Sequence, residues 1–445
     1  MTDGRMTDTE ALLWALEADP ALRSAFVSVT FLDRLPDMAR LRRRVADAVA
    51  VTPALDHRVA QASLDLLGPR WEPDPHFDLD FHLRHVAVPA PGLTRQVLDY
   101  AALVAADPLD HSRPLWQFSV VEGLADGQAA LVAKMHHVLA DGVGAVRMSA
   151  SFLDLSPDGD APAPRTQGAA RGPEQPGPSR LAGAVATVVD TVRQPLNAPR
   201  YATESVALAR SLVRQVAVVQ PALSPLWSGH EHLAHRFEAL SVGLDEVKRA
   251  AKALGGTVND VLVTAVAAAA GTYHRARGVT VDELRMSMPV STRTDRSVGG
   301  NAWAPTRVLV PVGALDAAER FAIVHARLEQ TKHEPTLGLA GRLIGLGRAL
   351  PAPLLVRLAR QQTGTVDFAC SNVRGAPFDL WIAGARVMAN HPMGPTAGTA
   401  FNATVLSYRD QLDLGLNCDS GAVDDAGQLC ELIATSFEEL FSARG

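Results

Sequence analysis

The chain has 445 residues, of which 47% are hydrophobic and 20% are charged, and its formal net charge is −6. This balance excludes a disordered chain, a collagen and a disulfide-stapled miniprotein, and it lacks the basic excess typical of nucleic-acid binding. The three cysteines, Cys370, Cys418 and Cys430, are too few for a disulfide framework and match no zinc-binding spacing. We therefore expect a cytoplasmic protein of two or three domains, with reduced thiols and no nucleic-acid partner.

In the first 155 residues, helix and strand patterns alternate. Helical periodicity predicts helices over residues 9–18, 36–51, 97–106 and 142–155. Composition predicts strands over residues 25–31, 115–122 and 128–136. The last two strands flank a Gly-Leu-Ala-Asp-Gly turn that is typical of a hairpin. Residues 71–84 are rich in Asp, Pro and aromatic residues and are expected to form an ordered loop.

Residues 156–180 differ from both flanks, since six Pro and four Gly fall within these 25 residues. This composition predicts a flexible linker between an N-terminal domain, residues 1–155, and a C-terminal domain, residues 181–445. Beyond the linker, helices are predicted over residues 181–220, 244–254, 258–275, 317–331 and 425–441. Strands are predicted over residues 283–290, 304–312, 368–373, 380–389, 400–408 and 412–418. The mixture in both halves predicts α/β or α+β layers rather than a helical bundle.

The sequence shows neither a signal peptide nor a membrane-spanning helix, because the N-terminal residues are acidic and the longest uncharged apolar run, residues 261–273, is too short. Residues 335–366, however, contain no acidic residue and carry four arginines among Leu, Ile and Val. Such a stretch either rests on a membrane or lipid-droplet surface or packs on its own domain with solvated arginines. Peripheral attachment to membranes or lipid inclusions is therefore one of two expectations.

The motif with the clearest chemistry is His136-His137-Val-Leu-Ala-Asp141-Gly142, which follows an apolar strand and precedes a predicted helix. By composition alone, at most about 0.004 matches to its spacing are expected in the chain. A strand directs successive side chains to opposite faces, so one histidine can face a cleft while the other turns inward. An imidazole is mostly neutral at cytoplasmic pH and can act as a general base on a hydroxyl.

A nucleophilic serine is not evident, because the chain contains no Gly-x-Ser-x-Gly elbow. This favours direct attack of a bound alcohol on an activated acyl donor, without an acyl-enzyme. The alternative is a pair of purely structural histidines.

Several further motifs occur in the order found in one known family. They lie at residues 71–84, 108–116, 257–262, 289–293, 300–301 and 371–373. With the histidine motif, they resemble the bacterial wax ester synthase/acyl-CoA:diacylglycerol acyltransferase family, which belongs to the CoA-dependent acyltransferase superfamily with chloramphenicol acetyltransferase. The resemblance covers residues 8–440.

The resemblance implies an α/β (α+β) fold of two chloramphenicol-acetyltransferase-like domains, each with a mixed sheet, and a substrate channel at their interface. It implies an enzyme that moves a fatty acyl group from acyl-CoA to diacylglycerol or a long-chain alcohol, giving triacylglycerol or wax ester. His137 would be the general base, and Ser371 or Asn372 would donate to the oxyanion. Acyl-CoA is a co-substrate, and neither a bound cofactor nor a metal is expected.

Within the motif, the resemblance leaves Asp141 two roles. It could orient His137 as a triad carboxylate does, or it could form a structural pair with Arg293, and the resemblance favours the pair. His136 is counted with the catalytic motif and is expected to act structurally, and Gly142 completes the motif.

Three other features have competing explanations. Asn259 belongs to a motif that could contact substrate, although Thr257 and Asp260 also form a capping box for the following helix, which is the preferred interpretation. Trp116 is a candidate substrate contact and more simply a core aromatic near the channel wall. The segment His230-Glu-His232-Leu-Ala-His235 lacks the spacing of a zinc-binding helix.

Two other functions stay open at this point. The acceptor could be a specialised alcohol, such as a polyketide or glycolipid hydroxyl, because the sequence does not give the length of the channel. The chain could also be a non-catalytic lipid-droplet-binding protein, against which the intact histidine motif argues.

Overall fold

The computed structural model of the chain describes residues 4–60, 68–139, 152–159, 224–229, 233–291, 303–332 and 352–443. In these ranges the strands form two six-stranded sheets and one two-stranded ribbon, with helices packed against the sheets.

The described residues of the first half of the chain form four helices and six strands. The helices are α1 (Asp8–Leu16), α2 (Met38–Val51), α3 (Leu79–His82) and α4 (Thr94–Ala106). The strands are β1 (Ala25–Leu32), β2 (His57–Ala60), β3 (Arg70–Pro73), β4 (Leu83–Ala87), β5 (Trp116–Glu122) and β6 (Ala129–His136).

The second half contributes five helices and eight strands among its described residues. The helices are α5 (Leu244–Ala253), α6 (Val258–Ala276), α7 (Ala317–Lys332), α8 (Ala352–Thr363) and α9 (Ala426–Ser442). The strands are β7 (His235–Gly243), β8 (Glu283–Ser291), β9 (Trp303–Pro311), β10 (Phe368–Arg374), β11 (Trp381–Ile382), β12 (Ala385–Met393), β13 (Phe401–Tyr408) and β14 (Gln411–Asp419).

The first sheet has the order β11-β12-β1-β6-β5-β4 and is mixed, because β4 and β5 are parallel while the other pairs are antiparallel. Strand β1 pairs with β6 so that Ala25 lies opposite His136, the last residue of β6. Its other edge pairs with β12, which comes from the second half of the chain. The sheet that carries the histidine motif therefore includes strands from both sides of the predicted linker.

The second sheet has the order β7-β14-β13-β10-β8-β9 and is also mixed. Strand β10 is parallel to both of its neighbours, and the remaining pairs are antiparallel. Helix α6 contributes most of its residues to the core that covers this sheet, together with residues of α9. Its start is specified locally, because Thr257 and Asp260 form the predicted capping box.

No single described helix is both long and apolar enough to cross a bilayer. Among the described helices, the pair α5 and α6 satisfies the length and composition criterion when taken together, but the two helices are bent by 94° relative to each other.

Two sequence predictions are corrected by the structure. Residues 71–84 are not only a loop, since they include part of β3 and the short helix α3, which Asp78 caps by accepting the backbone N–H of Asp80 at 3.0 Å. The helix predicted over residues 142–155 does not include residues 152–155, where Asp154 bridges to Trp381 instead. Residues 142–151 lie outside the described ranges.

A buried ion-pair cluster explains why residues 152–155 leave the helical path. The side chain of Asp154 is fully buried and accepts from Arg40 at 2.6 Å and from Arg44, both on α2. Arg40 also donates to the carbonyl oxygen of Pro157 at 2.8 Å. The first residues of the predicted linker are therefore bound to α2. The predicted linker from residue 160 onward and the helix predicted over residues 181–220 lie outside the described ranges. The domain boundaries therefore remain a prediction.

We expect Asp154→Ala to lower the free energy of unfolding by about 3–5 kcal/mol, because it leaves two largely buried guanidinium groups without their carboxylate. Urea unfolding followed by circular dichroism measures this loss. The control is Asp245→Ala, which removes an exposed carboxylate 3.2 Å from Lys248 and should cost no more than about 1 kcal/mol. Equal effects of the two substitutions would contradict a stabilising role for the cluster.

Candidate active site

The histidine motif begins where β6 ends. His136 is the last residue of β6 and is fully buried, and residues 137–139 form a turn. The backbone N–H of Val138 donates to Nδ1 of His136 at 3.1 Å, and the backbone N–H of Leu139 donates to the carbonyl oxygen of His136 at 3.0 Å. The His136 ring and backbone together therefore close the turn.

The other ring nitrogen of His136 faces a buried carboxylate. Nε2 lies 2.9 Å from Oε2 of Glu17 and 3.3 Å from Oγ of Ser24. Because Nδ1 accepts a hydrogen bond, the ring proton resides on Nε2, which donates to the carboxylate. Burial raises the pKa of Glu17, but its interactions with His136 and with the backbone N–H of Ser24 outweigh burial and leave the pKa below its usual value. Glu17 is thus an ionised acceptor at neutral pH.

His137 differs from its neighbour in being only half-buried. Its backbone N–H donates to the carbonyl oxygen of Ser24 at 3.2 Å. Its ring lies beside that of Phe26, with 4.9 Å between the ring centroids. The more accessible of the two histidine residues is therefore the one predicted as general base. The other predicted motif residues, Asp141 and Gly142, and the candidate partner Arg293 lie outside the described residues.

Two predicted substrate-site residues from the second half of the chain lie together. Asn372 is exposed on β10, and its Nδ2 donates to Oδ1 of Asn259 at 3.4 Å. Asn259 lies in the first turn of α6 and directs its own Nδ2 to Sδ of Met288 at 3.2 Å. Ser371, next to Asn372, is half-buried. Capping by Thr257 and Asp260 leaves the Asn259 side chain available for this contact with β10.

Trp116 lies in the core. Only 1% of its surface is exposed, and its Nε1 donates to the carbonyl oxygen of Leu55 at 2.8 Å. The His82 ring stacks on it at 4.5 Å and donates through Nδ1 to the Trp116 carbonyl oxygen at 2.7 Å. Burial lowers the pKa of His82, so this ring is a neutral partner. The structure thus agrees with the core interpretation of Trp116.

In the described parts of the chain, no group of three or more His, Cys, Asp or Glu side chains is arranged to hold a metal ion. Of the three histidines near residue 230, only His235 is described, and its Nδ1 lies 3.0 Å from Oδ1 of Asn417.

A cleft of about 850 Å³, counted with its open mouth, lies on the Glu17 side of the motif. Glu17, Lys134 and His235 are among its lining residues, and His137 is not. Lys134 is buried there and donates from Nζ to the carbonyl oxygens of Val104 at 2.7 Å and Asp107. Burial lowers the pKa of Lys134 to about 8. This lysine caps carbonyl oxygens at the C-terminus of α4 and lines the cleft.

Glu17 and Ser24 were not predicted from the sequence to belong to this site. One local signal could have indicated Glu17, because it caps the C-terminus of α1, where the helix dipole disfavours a negative charge. The pairing of this carboxylate with His136, 119 positions away in the chain, carries no sequence signal.

Solved structures with the same architecture come from acyl-transferring and condensing enzymes. A wax ester synthase/diacylglycerol acyltransferase from Marinobacter aquaeolei VT8 aligns with a TM-score of 0.68 at 24% identity, covering 98% of both chains. The first condensation domain of the calcium-dependent antibiotic synthetase aligns with a TM-score of 0.62 at 17% identity, covering 98% of this chain and 95% of the other. These likenesses confirm the predicted fold class of two acyltransferase-like domains with mixed sheets.

Family profiles and curated relatives define the group more narrowly. The wax ester synthase/diacylglycerol acyltransferase catalytic domain matches residues 9–262, and the C-terminal domain of the same family matches residues 299–441. The chain is 32% identical to a candidate diacylglycerol O-acyltransferase of Mycobacterium tuberculosis over 96% of this chain and 90% of the relative. A second such protein of that species is 31% identical over 91% of this chain and 88% of its own length. The chain therefore belongs to the wax ester synthase/diacylglycerol acyltransferase family, which confirms the resemblance inferred from the motifs.

Proposed function

We propose that this protein is an O-acyltransferase that moves a fatty acyl group from acyl-CoA to the hydroxyl of diacylglycerol or of a long-chain alcohol. The products are triacylglycerol or wax ester, with free CoA. Family membership supports the reaction class, and curated relatives carry the name diacylglycerol O-acyltransferase. The observation that carries the mechanism is that His137 is half-buried, directly after β6 and within the segment that matches the catalytic domain.

In the proposed mechanism, His137 removes the proton from the acceptor hydroxyl. The resulting oxygen nucleophile attacks the thioester carbonyl, and the tetrahedral intermediate collapses by breaking the carbon–sulfur bond. The CoA thiolate leaves and takes the proton back from His137, so the imidazole is neutral again after each turnover. A positioned general base contributes about 10²–10⁴ to the rate. No acyl-enzyme forms, and no resident cofactor is part of the scheme.

The oxyanion of the intermediate needs a hydrogen-bond donor, and we assign this role to Asn372, with Ser371 beside it. The amide of Asn372 is exposed, and its bond to Asn259 is long at 3.4 Å. A long bond is weak, so the amide can turn toward a stronger acceptor at little cost. Asn259 would then hold the amide in reach of the site between turnovers.

For the motif residues outside the described ranges, we keep the roles implied by the family. Asp141 would pair with Arg293 and preserve the loop that follows His137, and Gly142 would complete its turn. The substrates would meet in a channel between the two proposed domains, residues 1–155 and 181–445, with acyl-CoA entering from one side and the alcohol from the other.

We expect His137→Ala to reduce acyl transfer by about 10²–10⁴-fold while leaving the circular dichroism spectrum and unfolding midpoint unchanged. Release of CoA thiol from palmitoyl-CoA, measured with diacylglycerol, hexadecanol and a glycolipid as acceptors, tests the reaction and ranks the acceptors. His85→Ala is the control, because His85 lies on β4 and is more than one-third exposed. Turnover at the wild-type rate in His137→Ala would overturn the mechanism.

For the oxyanion donor, we expect Asn372→Ala to lower kcat by about 10²–10³-fold with little change in KM, because the lost hydrogen bond forms only in the transition state. Steady-state kinetics with palmitoyl-CoA measures both constants. Asn259→Ala keeps the Asn372 amide and should lower kcat much less. An unchanged kcat in Asn372→Ala would remove this residue from the mechanism and direct attention to Ser371.

We further propose that helix α8 attaches the enzyme peripherally to a membrane or lipid inclusion. The helix has no fully buried residue, Leu354 is 42% exposed, and Arg357 is also exposed. Arg360, by contrast, pairs with Asp19 at 2.9 Å and ties the helix to the chain beside α1. One face of α8 is therefore held by the protein while its other face presents apolar and basic groups.

Flotation with vesicles that contain anionic lipid tests this attachment. We expect Arg357→Glu to reduce co-flotation several-fold, because it reverses a charge that faces the lipid surface. Arg249→Glu, which reverses a 76% exposed charge on α5, is the control. Full co-flotation of Arg357→Glu would favour packing of this segment on its own domain.

A further inference from the structure

The carboxylate of Glu17 lies at the centre of the hydrogen bonds that hold the histidine turn. It accepts from Nε2 of His136 at 2.9 Å and from the backbone N–H of Ser24 at 3.3 Å, both through Oε2. Glu17 is 4% exposed and His136 is fully buried, so water does not compete effectively for these bonds. One carboxylate oxygen therefore links α1, the start of β1 and the end of β6.

Both residues that Glu17 binds also hold the backbone around His137. The carbonyl oxygen of Ser24 accepts the backbone N–H of His137 at 3.2 Å. Nδ1 of His136 accepts the backbone N–H of Val138 at 3.1 Å. The amide groups on the two sides of the His137 α-carbon are thus fixed through partners of the same carboxylate.

The arrangement works in only one tautomer of His136. A proton on Nδ1 would place a donor against the N–H of Val138, and the bond that closes the turn would be lost. A carboxylate can only accept, so Glu17 requires the proton on Nε2 and leaves Nδ1 free to accept. Glutamine offers both an acceptor and a donor in the same place, and it would no longer enforce this choice.

The position of Glu17 is locally unfavourable, which argues for a specific purpose. An acidic residue at the C-terminus of α1 faces the negative end of the helix dipole, and burial of the carboxylate adds a desolvation cost. A charged arginine, Arg23, lies 3.9 Å from Oε1 and is one-third exposed, so it compensates only weakly. Residues that break local rules without local gain are concentrated at functional sites.

We propose that Glu17 is a positioning residue for acyl transfer, which selects the Nε2–H tautomer of His136 and thereby holds His137 in its working position. The inference rests on the proposed role of His137 as general base. A displacement of about 1 Å at a catalytic group can cost about 10²-fold in rate without any loss of substrate binding. Glu17 itself contacts neither substrate.

The test compares Glu17→Gln with Glu122→Gln, both measured per folded molecule with palmitoyl-CoA and the preferred acceptor. The second variant alters a similar pair, in which Glu122 lies 3.2 Å from Nε2 of His85, but both side chains are about two-fifths exposed and lie away from the motif. We expect Glu17→Gln to lower kcat by about 10²-fold with KM unchanged. Glu122→Gln should keep both constants.

A spectroscopic readout separates positioning from simple stabilisation. In the wild-type protein, ring ¹⁵N chemical shifts should report His136 as the pure Nε2–H tautomer, and in Glu17→Gln as a mixture of both tautomers. Glu17→Asp retains the charge on a shorter side chain and should keep the wild-type tautomer with an intermediate kcat. Ser24→Ala removes only the hydroxyl, keeps both backbone bonds, and should have nearly wild-type kcat. If Glu17→Gln folds poorly, the ring shifts of Glu17→Asp and the kcat of its folded fraction provide the test.

The outcomes distinguish this inference from the proposed function. If His137→Ala retains turnover, the general-base mechanism fails. If His137→Ala is inactive while Glu17→Gln has wild-type kcat and a pure Nε2–H tautomer, the mechanism stands and the role of Glu17 is overturned. The role of Glu17 is also overturned if the unfolded fraction of Glu17→Gln fully accounts for its loss of activity.

Discussion

The buried hydrogen bond between Glu17 and His136 is the interaction on which the geometry of the candidate site depends. It joins the end of α1 to the end of β6, and through Ser24 it reaches the start of β1. The turn that presents His137 is thus held from three directions, which a strand end alone would not provide. His137 itself is half-buried in this turn.

A second constraint relates the two sheets. Strand β12 pairs with β1 of the first sheet, and its residues also bond to β14 of the second. The backbone N–H of Asn390 donates to Oδ2 of Asp413 at 2.8 Å, while the side chain of Asn390 accepts from Ser28 at 2.5 Å. Burial raises the pKa of Asp413 and lowers that of its neighbour His391, as expected for groups enclosed between two sheets. The sheet whose strand β6 precedes His137 and the sheet that carries Asn372 are therefore connected by side-chain hydrogen bonds between β12 and β14.

The hydrogen bonds around His136 account for a division of roles within the paired histidines. His136 uses both ring nitrogens for internal bonds, so it has no capacity left for substrate. Of the two, His137 is the residue that is only half-buried. Trp116 is likewise enclosed, since its indole N–H donates to the Leu55 carbonyl oxygen and the His82 ring stacks on it within the core.

Local sequence signals determined the α/β (α+β) class and most helices and strands, whereas His137 was chosen through the resemblance of its motif to a known family. They succeed because a helix start such as Thr257 to Asp260, or a strand-turn-strand pattern such as β5 and β6, is specified by residues close together in the chain. They failed at residues 152–155, where Arg40 and Arg44 draw Asp154 out of a helical pattern. They gave no indication of the pairing of β1 with β12 or of Glu17 with His136. Such contacts join residues more than 100 positions apart and depend on burial that exists only in the folded chain, and for that reason only the tertiary structure decided them.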